Sequence, residues 1–258
     1  MTTENSESVN VLCLKYGTRY PSYYVNRLYA GVCRHLKRPF HFHCCTDNSE
    51  GIHEDIHIIP FPQNPGLKSW WPHVLVKLML TKEDFGSFQG PTLFLDLDVV
   101  ITGSLDVFFD YKPGSFCMIH NWVNWRKALL GKRPCVGNSS VFRFNAGKSS
   151  DYIYQTFLRK MHHAEDRNQF NTEQAFLTYA AKDVTWWPET WVRSFKWNLR
   201  PLFPLNLMLT PKLPSDCRIL VFHGKPDPDE AITGYRGKRP HHHIKPASWI
   251  ADNWSEIK

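Results

Sequence analysis

The chain has 258 residues, of which 42% are hydrophobic and 14% aromatic, so it has apolar surface enough for a substantial core. These fractions exclude a disordered chain, and its apolar runs fall short of the ~18 residues that a transmembrane helix needs. The formal net charge of +7 and the pI near 9.0 indicate anionic partners. The basic residues are spread without a nucleic-acid-binding signature, which favours a small anion or a membrane surface over nucleic acid.

The N-terminal stretch MTTENSESVN is polar and acidic and lacks the apolar region of a secretory signal. We expect residues 1–8 to form a flexible tail and residues 9–258 to form one domain. Seven cysteines without CxxC spacing, mostly within apolar runs, indicate reduced core thiols. A cytoplasmic location is expected. The basic net charge is also compatible with a peripheral position at the inner membrane face. The sequence does not determine the oligomeric state.

The predicted elements alternate between strand and helix along the chain. Period-two and fully apolar runs predict strands at 9–15, 39–48, 56–62, 91–101, 117–120, 139–145 and 218–224. Apolar residues at helical spacing predict helices at 22–36, 69–80, 150–163 and 172–181. The proline-rich part from Lys225 is expected to be irregular and to close with a short helix in PASWIADNW. This alternation predicts an α/β sheet.

Two carboxylates follow the apolar run PTLFL, at Asp96 and Asp98. In an extended strand, residues two apart point to the same face, so the two side chains can converge on one point. Like charges at that separation repel each other unless a cation or a proton lies between them, and oxygen ligands suit Mg²⁺ or Mn²⁺. The alternative is that both aspartates cap turns at the end of the strand.

Two enzyme classes place a D-x-D at the end of an apolar strand. In haloacid-dehalogenase-type phosphatases the first aspartate is the nucleophile, the motif lies near the start of the chain, and a later acidic pair completes a Mg²⁺ site. Here about 95 residues precede the motif, and the later acidic segment PDPDE is not at the end of an apolar strand. A Mg²⁺-dependent phosphatase using Asp96 and Asp98 is therefore the alternative hypothesis.

In the other class, the D-x-D binds the metal that bridges a nucleoside diphosphate. The late segment VFHGKPDP resembles the C-terminal histidine, glycine, lysine, proline signature of glycosyltransferase family 8 and related GT-A enzymes. This resemblance implies that His223 completes the metal site, Gly224 approaches the diphosphate and Lys225 binds it. Two carboxylates and an imidazole suit Mn²⁺, and a lysine offsets charge on a departing diphosphate.

Further segments carry the same resemblance over most of the chain. It implies nucleotide contacts at Lys15, Tyr16, Gly17, Lys77 and Asp96. It implies donor-sugar contacts at Asn138 and Ser139, and it places Glu173 and Gln174 beside the reacting centre. Glu173 departs from the aspartate of the family. The alternatives are a helix capping box for Glu173 and Gln174, opened by Asn171 or Thr172, and a solvated helix face for Lys77.

Several aromatic segments admit either sugar stacking or packing, and packing is favoured for most. They contain Trp70, Trp71, Trp186, Trp187, Trp191 and Trp197. Arg193 and Lys196 lie among the last of them and are hypothesised to bind a negatively charged acceptor, the alternative being solvated surface charge. The run from His241 to His243 is interpreted as solvated surface.

The resemblance implies a single-domain GT-A fold with a central mixed, mainly parallel sheet flanked by helices. It implies metal-dependent transfer of a sugar from a nucleotide donor, a UDP-sugar, to a hydroxyl of a saccharide or glycolipid acceptor, with retention of configuration. The implied catalytic set is Asp96, Asp98, Glu173, Gln174 and Lys225, and the implied ligands of Mn²⁺ or Mg²⁺ are Asp96, Asp98 and His223. A non-catalytic nucleotide-sugar or glycan-binding protein of the same fold is the third hypothesis.

Overall fold

The protein is represented by a computed structural model that describes residues 8–62, 76–122, 136–161, 170 and 172–257. The strands β1 to β10 are Val9–Lys15, Phe40–Thr46, His57–Pro60, Gly90–Leu95, Val99–Ile101, Cys117–His120, Gly137–Ala146, Thr185–Trp186, Val192–Ser194 and Ile219–Val221. The helices α1 to α7 are Ser22–His35, Val76–Met79, Asp106–Asp110, Asp151–Met161, Glu173–Ala180, Pro228–Thr233 and Trp249–Asn253. Short 3₁₀ or π-helical turns cover Phe85–Ser87, Phe195–Leu199, Leu205–Leu207 and Pro240–His242.

The main sheet has the strand order β3-β2-β1-β4-β7-β6-β8. Its pairs β1–β2, β2–β3, β1–β4 and β6–β8 are parallel, whereas β4–β7 and β6–β7 are antiparallel. A smaller sheet has the order β5-β10-β9. The prediction of a mixed, mainly parallel sheet in an α/β fold is confirmed.

The strand order reverses beside β1. From β1 the chain builds β2 and β3 on one side, and it then returns to place β4 on the other side of β1. In open α/β sheets, the crevice at the carboxyl ends of the strands on either side of such a reversal is the usual place for a ligand. The ends of β1 and β4 therefore mark the expected site.

The core lies on both faces of the main sheet. Val11 points to the face covered by α1, where it joins a cluster with Leu28. Its neighbour Leu12 points to the opposite face and joins a cluster with Phe157 of α4. Because both faces are covered, every residue of β1 is buried, and each fully buried Val or Leu side chain contributes about 1.5–3 kcal/mol.

The predicted strand 91–101 is interrupted at the aspartates, so that prediction is wrong in part. The main sheet retains β4 as far as Leu95, and the backbone N–H of Asp96 still donates to Ser140 O at 2.9 Å. The chain then turns through residues 97 and 98 and continues as β5 in the smaller sheet. The apolar pattern is continuous because both strands are buried, although they lie in different sheets.

The proline-rich segment after Lys225 contains a helix that composition did not predict. Pro228 occupies the first turn of α6, and Asp227 and Glu230 form a reciprocal capping box around its start. The helix predicted in PASWIADNW is confirmed as α7. Of the helix predicted at 69–80, the described part contains α2, and the expected tail at 1–8 lies almost wholly outside the described residues.

Six of the seven cysteines lie in the described part, and all six are free thiols; five are buried and Cys33 is exposed. The prediction of reduced thiols is confirmed for these six, whereas Cys135 lies outside the described residues. Across the described ranges, every helix is too short or too polar to cross a bilayer.

Candidate active site

Asp96, at the end of β4, is held by a buried lysine. The Nζ of Lys77, on α2, lies 2.8 Å from one Asp96 carboxylate oxygen and 3.0 Å from the other. The same Nζ lies 3.7 Å from Glu173 Oε1 and donates to Ser139 Oγ at 3.3 Å. The Ser139 hydroxyl donates in turn to the Glu173 carboxylate. One ammonium thus connects α2, β7 and α5 to the turn after β4.

The charges in this network compensate each other. Burial alone would lower the pKa of Lys77, but the negative charges of Asp96 and Glu173 outweigh burial and raise it. Burial raises the pKa of Glu173, against the opposing effect of Lys77. The side chain of Lys77 is 15% exposed, so the interpretation of this lysine as part of a solvated helix face is wrong.

Asp98 lies in a different environment. The hydroxyl of Tyr20, in the loop between β1 and α1, donates to Asp98 Oδ2 at 3.0 Å. Burial, followed by the negative charge of Asp96, raises the pKa of Asp98 to about 7, against smaller opposing effects that include the charge of Arg19. The Asp98 carboxyl is therefore partly protonated near neutral pH.

The small sheet places His223 one residue after a backbone contact to Asp98. Val221 of β10 pairs with Val99 of β5, and the backbone N–H of Phe222 donates to Asp98 O at 2.9 Å. The Nε2 of His223 lies 2.6 Å from the Ser194 hydroxyl, and the imidazole stacks on Trp122 with ring centroids 5.3 Å apart. Burial and the charge of Lys196 lower the pKa of His223 to about 4, so the imidazole is neutral at physiological pH.

The candidate donor set fits a divalent cation in its chemistry, because two carboxylates and a neutral imidazole are suitable ligands for Mn²⁺ or Mg²⁺. Within the described ranges, no three His, Cys, Asp or Glu side chains are arranged to hold a metal ion. The Asp96 oxygens contact Lys77, and the His223 Nε2 contacts Ser194. Binding a cation would require both side chains to exchange partners.

The residues implied at the end of β1 lie at the reversal of strand order. Tyr16 is close enough to Lys77 and Asp96 for their charges to act on its pKa, which burial raises. Gly17 has a φ of 63°, a conformation that favours glycine, and its N–H donates to Asp47 Oδ2 at 2.9 Å. Lys15 points away from the aspartates, since its Nζ donates to Asn48 O at 3.2 Å.

The start of α5 separates the two interpretations of Glu173. Thr172 is the N-cap, as predicted, and its hydroxyl accepts from Ala175 N at 3.2 Å. The Glu173 carboxylate does not return to the cap but contacts Lys77, so the capping-box interpretation is wrong for this residue. Gln174 follows it, half-buried, in the same turn. On β7, the Asn138 side chain accepts from Ser140 N at 2.9 Å, which fixes its orientation.

Lys225 is not directed at the aspartates. Gly224 has a φ of 78°, and after it the Nζ of Lys225 lies 2.8 Å from Asp227 Oδ2 and 2.8 Å from Glu230 Oε1. Its side chain is 54% exposed. The structure thus brings Lys77, Asp96, Glu173 and Ser139 into direct contact, whereas Lys15 and Lys225 are bound to other partners.

Most described tryptophans pack, as predicted. Trp187 is buried, Trp191 packs on Phe108, the Trp186 ring lies tilted against His120, and Trp197 is exposed. Trp70 and Trp71 lie outside the described residues.

The two cations among these tryptophans have different surroundings. Arg193 pairs with Asp216 at 3.0 Å, and the Lys196 Nζ lies 5.4 Å from the ring centroid of Trp197. Their hypothesised role toward an acceptor stays a prediction.

Sequence patterns did not indicate three contributors to the site. Tyr20 bonds to Asp98, Ser194 bonds to His223, and Arg19 places a positive charge near Asp98. None belongs to a motif with fixed spacing. Tyr20 and Arg19 could have been suspected only from their position in the loop between β1 and α1. Such loops line the crevice of an α/β sheet.

No protein-family model matches the chain, and no curated protein matches it in sequence. Among solved structures, the galactosyltransferase LgtC in complex with donor and acceptor sugar analogues is similar, with a TM-score of 0.56 and 15% identity over 85% of this chain and 88% of that chain. The apo glycosyltransferase GlyE of Streptococcus pneumoniae TIGR4 has a TM-score of 0.59 and 14% identity over 86% of this chain and 56% of that chain.

The apo bifunctional glycosyltransferase WbbM has a TM-score of 0.55 and 10% identity, over 88% of this chain and 48% of that chain. The chain therefore spans about half the length of GlyE and WbbM and most of the length of LgtC. At these identities the likeness establishes the architecture, and the predicted GT-A fold is confirmed.

Proposed function

We propose that the protein is a metal-dependent glycosyltransferase that moves a sugar from a nucleotide donor, a UDP-sugar, to a hydroxyl of a saccharide or glycolipid acceptor. The observation that supports this most strongly is the carboxylate pair Asp96 and Asp98 at the reversal of strand order. His223 follows Phe222, whose backbone N–H donates to Asp98 O. In a GT-A fold, this crevice at the carboxyl ends of β1 and β4 is the place where a ligand is expected.

Asp96, Asp98 and His223 would hold Mn²⁺ or Mg²⁺, which supplies compensation for the negative charge on the leaving diphosphate. Lys77 contacts the carboxylates of both Asp96 and Glu173 and so orients them. Tyr20 fixes the second aspartate through its hydroxyl. Because these contacts already hold the acidic side chains in place, less free energy is needed to order the site when a donor binds.

The other implied residues act on the donor and its leaving group. Glu173 and Gln174 would lie beside the donor sugar, with Asn138 and Ser139 on the neighbouring strand. Lys225 would contribute a positive charge to the diphosphate after leaving Asp227 and Glu230, and exposure of its side chain permits that change of rotamer. Retention of configuration is proposed from the family 8 resemblance of the segment at His223.

The proposal is tested by measuring release of nucleoside diphosphate from a panel of nucleotide sugars with Mn²⁺ or Mg²⁺, with simple saccharides as acceptors. We expect turnover with at least one UDP-sugar that depends on both the metal and the acceptor. Binding of a nucleotide sugar without turnover would identify a non-catalytic module instead. Release of phosphate from p-nitrophenyl phosphate would favour the phosphatase, which the GT-A fold does not support.

A further inference from the structure

An apolar surface lies in the segment that follows the turn Phe195–Leu199. Six large apolar side chains of residues 202–209, here called the apolar loop, are exposed: Leu202 75%, Phe203 57%, Leu205 51%, Leu207 39%, Met208 78% and Leu209 50%. Single exposed apolar residues are ordinary on a protein surface. A contiguous set of this size marks an interaction site.

The apolar loop is held in place by a buried polar side chain. Asn206 is 1% exposed, and its Nδ2 donates to Pro240 O and to His243 O, each at 2.9 Å. Within the loop, the backbone N–H of Leu209 donates to Leu205 O at 2.8 Å. The apolar side chains are therefore presented outward by an anchored turn.

Positive charge surrounds the apolar loop. The segments 195–215 and 231–251 contain seven Lys and Arg residues, and they are flanked by Asp216, Glu230 and Asp252. Burial and the nearby charges of Arg200, Lys196 and Arg239, together with that of His241, lower the pKa of His242. Trp197, which is 43% exposed, lies in the turn Phe195–Leu199 that precedes the apolar loop. Apolar side chains bordered by cations and a tryptophan are typical of proteins that bind the interface of a membrane.

We propose that the apolar loop and the basic residues around it form a docking surface for an anionic lipid bilayer. The apolar side chains would enter the boundary between head groups and acyl chains, and the cations would contact lipid phosphates. An apolar loop also suits a protein partner, but the charges of Lys196, Arg200 and Arg239, which all act on His242 beside the loop, favour an anionic surface. This inference goes beyond sugar transfer and does not depend on it.

The docking surface lies beside the candidate active site. The turn Phe195–Leu199 starts directly after Ser194, whose hydroxyl bonds to His223, and residues 200 and 201 connect it to the apolar loop. Docking at the apolar loop would therefore keep the crevice near the bilayer surface.

The test is flotation of the full chain with vesicles of phosphatidylcholine, with or without phosphatidylglycerol. We expect binding to the anionic vesicles and several-fold weaker binding to phosphatidylcholine alone. The double variant Leu202→Ser, Met208→Ser should lower binding about tenfold or more, because it removes two large apolar side chains from the interface. A matched control, Ile58→Ser with Ile257→Ser, changes residues that are 41% and 49% exposed elsewhere and should bind as the wild type does.

The electrostatic part is tested with Arg239→Gln, which should weaken binding about fivefold, against the exposed control Lys37→Gln. Melting temperatures establish that all variants are folded. Failure of the wild type to bind anionic vesicles would overturn the proposal, and so would an apolar-loop variant that binds as the wild type does. If that variant instead turned a dimer into a monomer with vesicle binding unchanged, the loop would be an interface between copies, and the proposal would also be overturned.

Discussion

At the scale of single residues, the buried Asp98 carboxyl gives the most specific prediction, which concerns both turnover and stability. Because burial and Asp96 raise its pKa to about 7, ionising it in the folded chain is unfavourable. Asp98→Asn keeps an acceptor for Tyr20 but removes the charge, so we expect loss of turnover by about 100-fold or more. We also expect higher stability of the unliganded chain at pH 7, on the order of 2 kcal/mol.

Turnover and urea unfolding of the same preparations measure both effects. Asp84→Asn is the matched control, since Asp84 is an exposed carboxylate paired with Lys82. Wild-type metal-dependent turnover in the Asp98→Asn variant would remove this residue from the reaction.

Lys77 supports the site by compensating two buried acids. In Lys77→Met the Asp96 and Glu173 carboxylates lose their shared cation, and breaking such a buried pair costs about 3–5 kcal/mol. Urea unfolding measures this cost. Lys82→Met, at an exposed ion pair, should change stability by less than about 1 kcal/mol. Equal stability of the two variants would show that Lys77 does not carry the network.

At this scale, the motif residues could be predicted and their partners could not. Asp96, Asp98 and His223 stand out because carboxylates and imidazoles follow apolar strands in the sequence. Tyr20 and Ser194 reach the site only through tertiary packing between distant segments. Lys225 shows the converse, since its motif implies a diphosphate contact while two nearby acids bind it in this structure.

The edge pair β2–β3 contains a buried histidine that makes the stability of the fold depend on pH. Buried His43 has its Nε2 3.0 Å from Asn10 Oδ1 and stacks on Phe88, and it faces His57 across the pair, with His41 also nearby. Burial, then the charges of His57 and His41, lower its pKa from 6.5 to about 4. Between these values the unfolded chain binds a proton that the folded chain does not, so stability falls as pH falls from 6.5 to 4.

Replacing His43 with Gln tests this dependence. We expect the variant to lose part of the decrease in unfolding free energy between pH 6.5 and pH 4, on the order of 2 kcal/mol. The measurement is urea unfolding across that range for both proteins. His53→Gln, at a half-buried histidine of the loop before β3, serves as the control. Parallel curves for wild type and the His43 variant would show that this histidine is not responsible.

Elements with strong apolar periodicity could be predicted, and short ones set by capping could not. The strand at 9–15 was predicted with the bounds that the structure gives. The break between β4 and β5 was missed because burial in two different sheets leaves one continuous apolar pattern. The helix α6 was missed because its prolines and acids suggested a loop, although Asp227, Pro228 and Glu230 are also the residues that start a helix.

At the scale of the molecule, alternation predicted the α/β class but not the strand order. The reversal beside β1 places the ends of β1 and β4 together, and the antiparallel return of β10 along β5 brings the backbone of Phe222, next to His223, to Asp98. The β1–β4 pairing joins residues 82 positions apart and the β5–β10 pairing joins residues 118 to 122 positions apart, so local periodicity carries no information about them. The site thus depends on topology as much as on its motifs.

The most direct test of the central claim is the melting temperature of the chain with UDP, UDP-sugars and other nucleotides, each with and without Mn²⁺. At about a hundred times its Kd, a ligand adds about 2.7 kcal/mol, which corresponds to a rise of about 5–10 °C for a chain of this size. We predict a rise that requires both a uridine nucleotide and the metal and that is absent in Asp98→Asn. No rise with any nucleotide, or an equal rise in the variant, would contradict a nucleotide-sugar site at Asp96 and Asp98.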